Sequence, residues 1–252
     1  MTESLSRRRA LQLAAAALVP TAAGCFGTGD DRQPWHATWL PAGDGLSFTI
    51  LELTVGADAD AIPSVTPVVL PQGTPDEQQF EVNVSISSEI EDPLVAFPLT
   101  TGPRAIGLSA IALSIANLAE LIDTPDAFAS TPGRLLAVNG TVLITGSFDR
   151  GEIEKQLTDN TGPITASYER TGKRRGYDRY SPVEVPPRIE RAPEGAPHIA
   201  VGEQAVLVGG DTSRLNRIVE TAVGDRSPAV EANERLAWLI DQTSGGDLIV
   251  GT

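Results

Sequence analysis

The stretch LAVNGTVLITG (Leu136–Gly146) decides the reading of the fold, because two apolar runs meet at Asn139-Gly140. Asn-Gly supplies the two positive-φ residues that a type I′ turn requires, so Leu135–Val138 and Thr141–Phe148 are predicted to form a hairpin. A second stretch, IAVGEQAVLVG (Ile199–Gly209), repeats the pattern 63 residues later and predicts strands over Ile199–Val201 and Ala205–Val208. Each hairpin runs through an aspartate into a helical pattern. Asp149 is placed to cap the first helix, with Glu152 three residues on as in a capping box. In the second, Leu215, Ile218, Val219, Ala222 and Val223 share one face, and Gly224 ends the run. The two stretches read as a duplicated strand–strand–helix unit.

Working outward, Leu46–Val55 is rich in β-formers, and Phe80–Ser87 alternates apolar with polar residues as a half-buried strand does. Gly102-Pro103 opens a predicted helix to about Ile122, whose apolar residues cover most of its circumference; such a helix belongs between layers. Pro125 marks its end. Glu234–Thr243 reads as a further helix and Asp247–Val250 as a last strand. Strands joined by hairpins point to an α+β fold with a mostly antiparallel sheet and packed helices. One domain over 34–252 is expected, with two subdomains, 34–132 and 133–252, as the alternative.

The amino terminus carries a different message. Arg7, Arg8 and Arg9 precede a mild apolar run, Leu11–Ala23, that ends in Ala22-Ala23-Gly24-Cys25. Thirteen residues span about 20 Å as a helix, short of the roughly 30 Å of a bilayer core. Arginines, a short apolar core and small residues before a cysteine describe a signal peptide of the twin-arginine type, with Arg7 and Arg8 as the export signal and a lipid on Cys25. Residues 25–33 then form a polar tether. Cys25 is the only cysteine, so neither an internal disulfide nor a cysteine metal cluster is available.

The net charge is −14, and removing Met1–Gly24, with its three arginines and one glutamate, makes it −16. Such a chain repels nucleic acid. Lysine occurs only twice, at Lys155 and Lys173. The leader, the cysteine box and the acidic, lysine-poor body together resemble the twin-arginine-exported lipoproteins of halophilic archaea. The specific match covers Ser6–Cys25, and no activity or site residue carries over from it. The resemblance implies a protein on the outer face of the cell membrane, attached through its lipid. Self-repulsion at −16 also implies dependence on salt, since the Debye length falls from about 10 Å at 0.1 M to about 3 Å at 1 M. The melting temperature is expected to rise by about 5 °C or more between low and molar potassium chloride. A flat melting temperature over that range would count against the halophilic reading.

Chemistry is sparse. His36 and His198 lie in no metal-binding spacing, and the chain has no nucleophile elbow, phosphate loop or dinucleotide fingerprint. No cofactor, metal or catalytic residue is assigned. Asn83 and Asn139 begin glycosylation sequons. One segment departs from the composition: Arg170–Arg191 holds seven basic and three acidic residues, together with Tyr177 and Tyr180 and, just before it, Tyr168. Arg170, Lys173, Arg174, Arg175 and Arg179 are the candidate binding patch, suited to an acidic surface protein or to anionic headgroups. The competing reading is that these arginines pair with carboxylates of the same molecule. Ser181–Pro197, with its prolines, is expected to be a stiff extended loop. A membrane-anchored binding or structural module is the first functional reading; a solute-binding lipoprotein serving a transporter is the alternative, and a hydrolase comes last.

Overall fold

Asn139 and Gly140 both adopt positive φ, 46° and 76°, and join β2 (Thr131–Val138) to β3 (Thr141–Ser147) as a type I′ turn demands. The computed structural model describes residues 34–43, 45–52, 93–123, 127–159, 164–190, 195–243 and 248–251. All of them belong to one compact unit, Pro34–Thr252. The signal peptide, Cys25, Asn83 with its predicted strand, and Pro125 lie outside the described residues.

The second hairpin is β6 (His198–Val201) and β7 (Ala205–Gly209). The hairpins join through their second strands: β3 and β7 pair antiparallel, with Leu143 opposite Leu207. β1 (Phe48–Glu52) and β8 (Leu248–Gly251) extend one side, and β4 (Ser167–Arg174) and β5 (Tyr177–Glu184) the other. The result is one eight-stranded sheet in the order β4-β5-β6-β7-β3-β2-β1-β8, with antiparallel neighbours throughout. The fold is α+β, as the hairpins require. β2 itself crosses position 132/133, so no subdomain boundary falls there.

The central strands are buried on both faces; all five residues of β7 are buried. Val142, Ile144, Val206 and Val208 face one core, together with Ile153 and Leu157 of α3 (Arg150–Thr158) and Leu113 of α1 (Pro93–Ile115). Leu143 and Leu207 face the other, with Leu215, Ile218 and Val219 of α5 (Thr212–Ala222). Both predicted units therefore run strand–turn–strand–helix with Val142 and Val206 buried, but their helices cover opposite faces. The duplication is not confirmed, because a sheet with two apolar faces needs one helix on each.

Several local expectations are corrected. Pro103 does not open the first helix. Pro93 holds the first-turn position, where a missing N–H costs nothing, and Pro103 lies inside the helix. Nor does the helix reach Ile122: Asn117 takes φ 57°, and bonds from Leu118 N to Leu113 O (2.8 Å) and Asn117 N to Ser114 O (3.1 Å) close a Schellman cap. A separate turn, α2 (Glu120–Asp123), follows. The helix is not enclosed all round either, since Leu108 is 56% exposed. Asp149 does cap α3, its Oδ1 accepting from Glu152 N (3.0 Å), but Glu152 does not close the box. Its carboxylate accepts from Ala129 N and Ser130 N (2.9 Å each) and fastens that segment to the helix. Val223 is exposed rather than part of the apolar face. The expected extended loop is instead the end of β5 followed by a helical turn, α4 (Pro187–Glu190). Trp35 and Trp39, on a 3-10 turn, are partly buried against the second core.

Candidate functional site

The basic segment folds as the β4–β5 hairpin, turning at Arg175 (φ 51°) and Gly176 (φ 86°). The register slips at Thr171: Arg170 lies opposite Tyr180, but Gly172 lies opposite Arg179 and Arg174 opposite Tyr177. Because of this bulge, Arg170 and Arg174, which strict alternation would put on one face, go to different faces of the sheet. The sequence patch is thereby divided.

Arg170 pairs with Asp178, which also takes Arg150 Nη1 at 3.3 Å. The Asp178 side chain is 7% exposed, so this cluster belongs to the structure. Arg174 binds Glu220 at 2.5 Å and Arg175 binds Asp225 at 2.6 Å. These three arginines follow the competing reading and meet carboxylates of their own molecule. Lys173 is exposed at the hairpin rim, opposite Asp178 in the register. The tyrosines expected to supply surface contact are core residues instead: Tyr168 and Tyr180 pack in one core and Tyr177 in the other. Period-2 alternation turns each ring inward once the register is set. Burial pushes the Tyr168 hydroxyl well above its usual range, so it stays neutral.

Arg179 differs from its neighbours. Its guanidinium donates to Asn216 Oδ1 and, at 3.5 Å, to the Thr212 carbonyl, both neutral acceptors on α5. Among the described residues no carboxylate forms an ion pair with it. Burial, and then the nearby Arg174 charge, pull its pKa down, yet a guanidinium remains charged at any ordinary pH. Arg179 thus presents an uncompensated positive charge in a strongly acidic molecule. It opens into a cleft of about 260 Å³ between β4, β5, β6 and the start of α5, also lined by Thr171, Ser181, His198, Thr212 and Asn216.

The floor of this cleft comes from strand pairing. Arg179 lies opposite Ala200 and Tyr180 opposite Ile199, which brings Ser181 beside His198. Ser181 Oγ lies 3.1 Å from His198 Nδ1. Burial first, and then the Arg179 charge, hold the His198 pKa below the usual imidazole range, against an upward pull from Asp211. The imidazole is therefore neutral at pH 7 and poised to gain a proton if a negative charge enters. The amino end of α5 is already occupied: Asp211 Oδ1 accepts from Ser213 N at 2.8 Å. What the cleft can offer a ligand is therefore side chains and not the helix terminus.

Of the five patch residues, the structure brings only Arg179 fully into this cleft, with Lys173 and Arg174 at its wall. Ser181, His198, Thr212 and Asn216 were not legible as site residues. Metal-ligand spacing, the signal sought for His198, does not register a serine 17 residues away. Asn139, which begins a sequon, ties its turn to the segment before β1: Ser47 N donates to its Oδ1 at 2.8 Å. Among the described residues no acidic, histidine or cysteine group is arranged to hold a metal ion, and no helix is long and apolar enough to cross a membrane. No protein-family model, no curated protein and no solved structure matches this chain.

Proposed function

We propose that this chain is an exported lipoprotein, held on the outer face of the membrane through a lipid on Cys25, whose folded body is a binding module for an oxyanion group. The single observation that carries the binding role is the Arg179 cleft: a guanidinium without a carboxylate, beside hydroxyl, amide and imidazole groups. A guanidinium fork matches the geometry of a carboxylate, sulfate or phosphate, and the neighbouring hydroxyls add donors. The ligand would be such a group carried by an acidic surface protein or glycan. The leader and cysteine box support the export reading, and no cofactor enters it. A two-lobed solute binder is not favoured, because the described residues form one continuous antiparallel sheet.

Sulfate, whose charge is constant between pH 5 and 8, is the probe. At fixed ionic strength it is expected to bind the mature protein, and Arg179→Gln is expected to weaken it about tenfold, the effect of losing a hydrogen bond to a charged group. Arg175→Gln, away from the cleft, should leave it unchanged. A bound anion favours the protonated imidazole and so raises the His198 pKa. Affinity should therefore rise several-fold as pH falls through that raised value, and level off below the pKa of the free protein. His198→Asn should flatten the profile. Calorimetry showing no sulfate binding, or binding indifferent to Arg179, would reject the cleft as the site.

A further inference from the structure

After a short helical turn, α6 (Ala229–Ala232), helix α7 (Glu234–Thr243) begins where Asn233 Oδ1 accepts from Arg235 N and Leu236 N, both at 3.1 Å. One side of this helix packs on the core through Leu236, Ala237 and Ile240. The opposite side shows Trp238 and Leu239 to solvent, 63% and 51% exposed. These are the two neighbouring members of the exposed large hydrophobic residues among those described. Beside them runs an apolar groove of about 680 Å³, between α7 and the edge formed by β1 and β8, lined by Phe48, Leu239, Ile240 and Ile249.

The chain reaches this groove within ten residues of entering its folded body. From Pro34 a single turn leads to Leu40, whose carbonyl accepts from Ala229 N at 2.7 Å. Pro41 then bridges to Pro228, and Ala42 and Gly43 form part of the groove wall. The eight residues between Cys25 and Pro34 reach at most about 28 Å. A lipid on Cys25 would thus keep the folded body, and with it the groove, close to the bilayer. Tryptophan is suited to the boundary between headgroups and acyl chains, since its ring is apolar and its N–H polar.

We infer that the α7 face carrying Trp238 and Leu239, with the groove beside it, docks on the lipid surface that holds the protein. The inference rests on the lipid-anchor reading. The docking is shallow, with two side chains entering the interface and Arg235, one turn back and exposed, within reach of a headgroup phosphate. Glu231, Glu234 and Asp241 flank the face and are also exposed, so a strongly anionic bilayer would repel it unless salt screens the charge.

The test uses the mature chain with Cys25→Ser, which carries no lipid, and phosphatidylcholine vesicles in molar potassium chloride. With Trp35→Phe and Trp39→Phe, Trp238 is the sole emitter. Its emission should shift to the blue on adding vesicles and be quenched by brominated acyl chains. Trp238→Ser/Leu239→Ser should reduce co-sedimentation about fivefold with an unchanged melting temperature, since both side chains are exposed. Vesicles that leave Trp238 emission unmoved, or co-sediment both proteins equally, would overturn the inference. So would a concentration-dependent dimer that needs Trp238 and ignores vesicles, which would assign the face to a second copy. The anchor is read separately, from the mass of the Cys25 peptide isolated from cells. An unmodified peptide alongside vesicle docking would reject the anchor and keep the docking face; a lipidated peptide without docking would do the reverse.

Discussion

Replacing Asp178 with alanine is expected to lower the melting temperature by about 10 °C. The carboxylate side chain is 7% exposed and is the common acceptor for Arg150 and Arg170. It sits on β5, next to the fully packed Tyr180. Removing one partner of a buried ionic cluster costs roughly 3–5 kcal/mol, and the lower end, about 3 kcal/mol, applies here because the arginines left behind, with side chains 26% and 46% exposed, regain part of their water. In a domain of this size each kcal/mol moves the melting temperature by about 2–4 °C. Arg150 also ties β5 to the start of α3 and meets Glu203 at 3.4 Å, so the loss would loosen the sheet edge that carries the cleft. Arg175→Ala is the contrasting case. Its pair with Asp225 joins side chains 56% and 34% exposed, and exposed pairs contribute about 0–1 kcal/mol. Thermal melts of the two variants should therefore differ clearly. If Asp178→Ala melted within 2 °C of the wild type, the cluster would not be structural, and Arg170 would return to the candidate binding surface.

The second large effect is expected in cells expressing the full precursor. With Cys25 intact, essentially all of the mature protein should fractionate with membranes. With Cys25→Ser it should be shed or accumulate as unprocessed precursor. The size of the effect follows from the anchor's chemistry, because each buried methylene of a lipid chain adds about 0.8 kcal/mol. Long acyl chains therefore dominate whatever the Trp238 face supplies. Fractionation with mass determination decides it: equal retention of the Cys25→Ser form at the same mature mass would dispose of the anchor. In that event the Arg179 cleft would stand as a binding site, but on a protein held at its membrane by other means.

The sequence by itself determined those features whose hydrogen bonds close within a few residues. Asn139-Gly140 turns because these two residues tolerate positive φ, whatever the rest of the chain does. Asp211 caps α5 from one residue before it, and Gly224 (φ 80°) ends the following turn. Helix Glu234–Thr243 was readable to the residue, because its cap, Asn233, immediately precedes it and its apolar face, Leu236, Ala237 and Ile240, lies within it. At Gly102-Pro103 the local reading failed, since the helix runs back through both residues to Pro93.

The candidate site was not of this kind. Arg179 and Asn216 are 37 residues apart, and Ser181 and His198 are 17 apart; they meet because β5 pairs with β6 and α5 crosses the same face. No local rule states which hairpin edge joins which, so pairing is settled by the total apolar area that each arrangement buries. The same long-range choice sent three tyrosines inward and split the described part of one basic segment into structural ion pairs and, at Arg179, a guanidinium without a carboxylate. Composition identified the segment as unusual. Only the tertiary structure separated the arginine with charge to offer from those whose charge was already matched, because compensation depends on distances of a few ångströms between residues far apart in the chain.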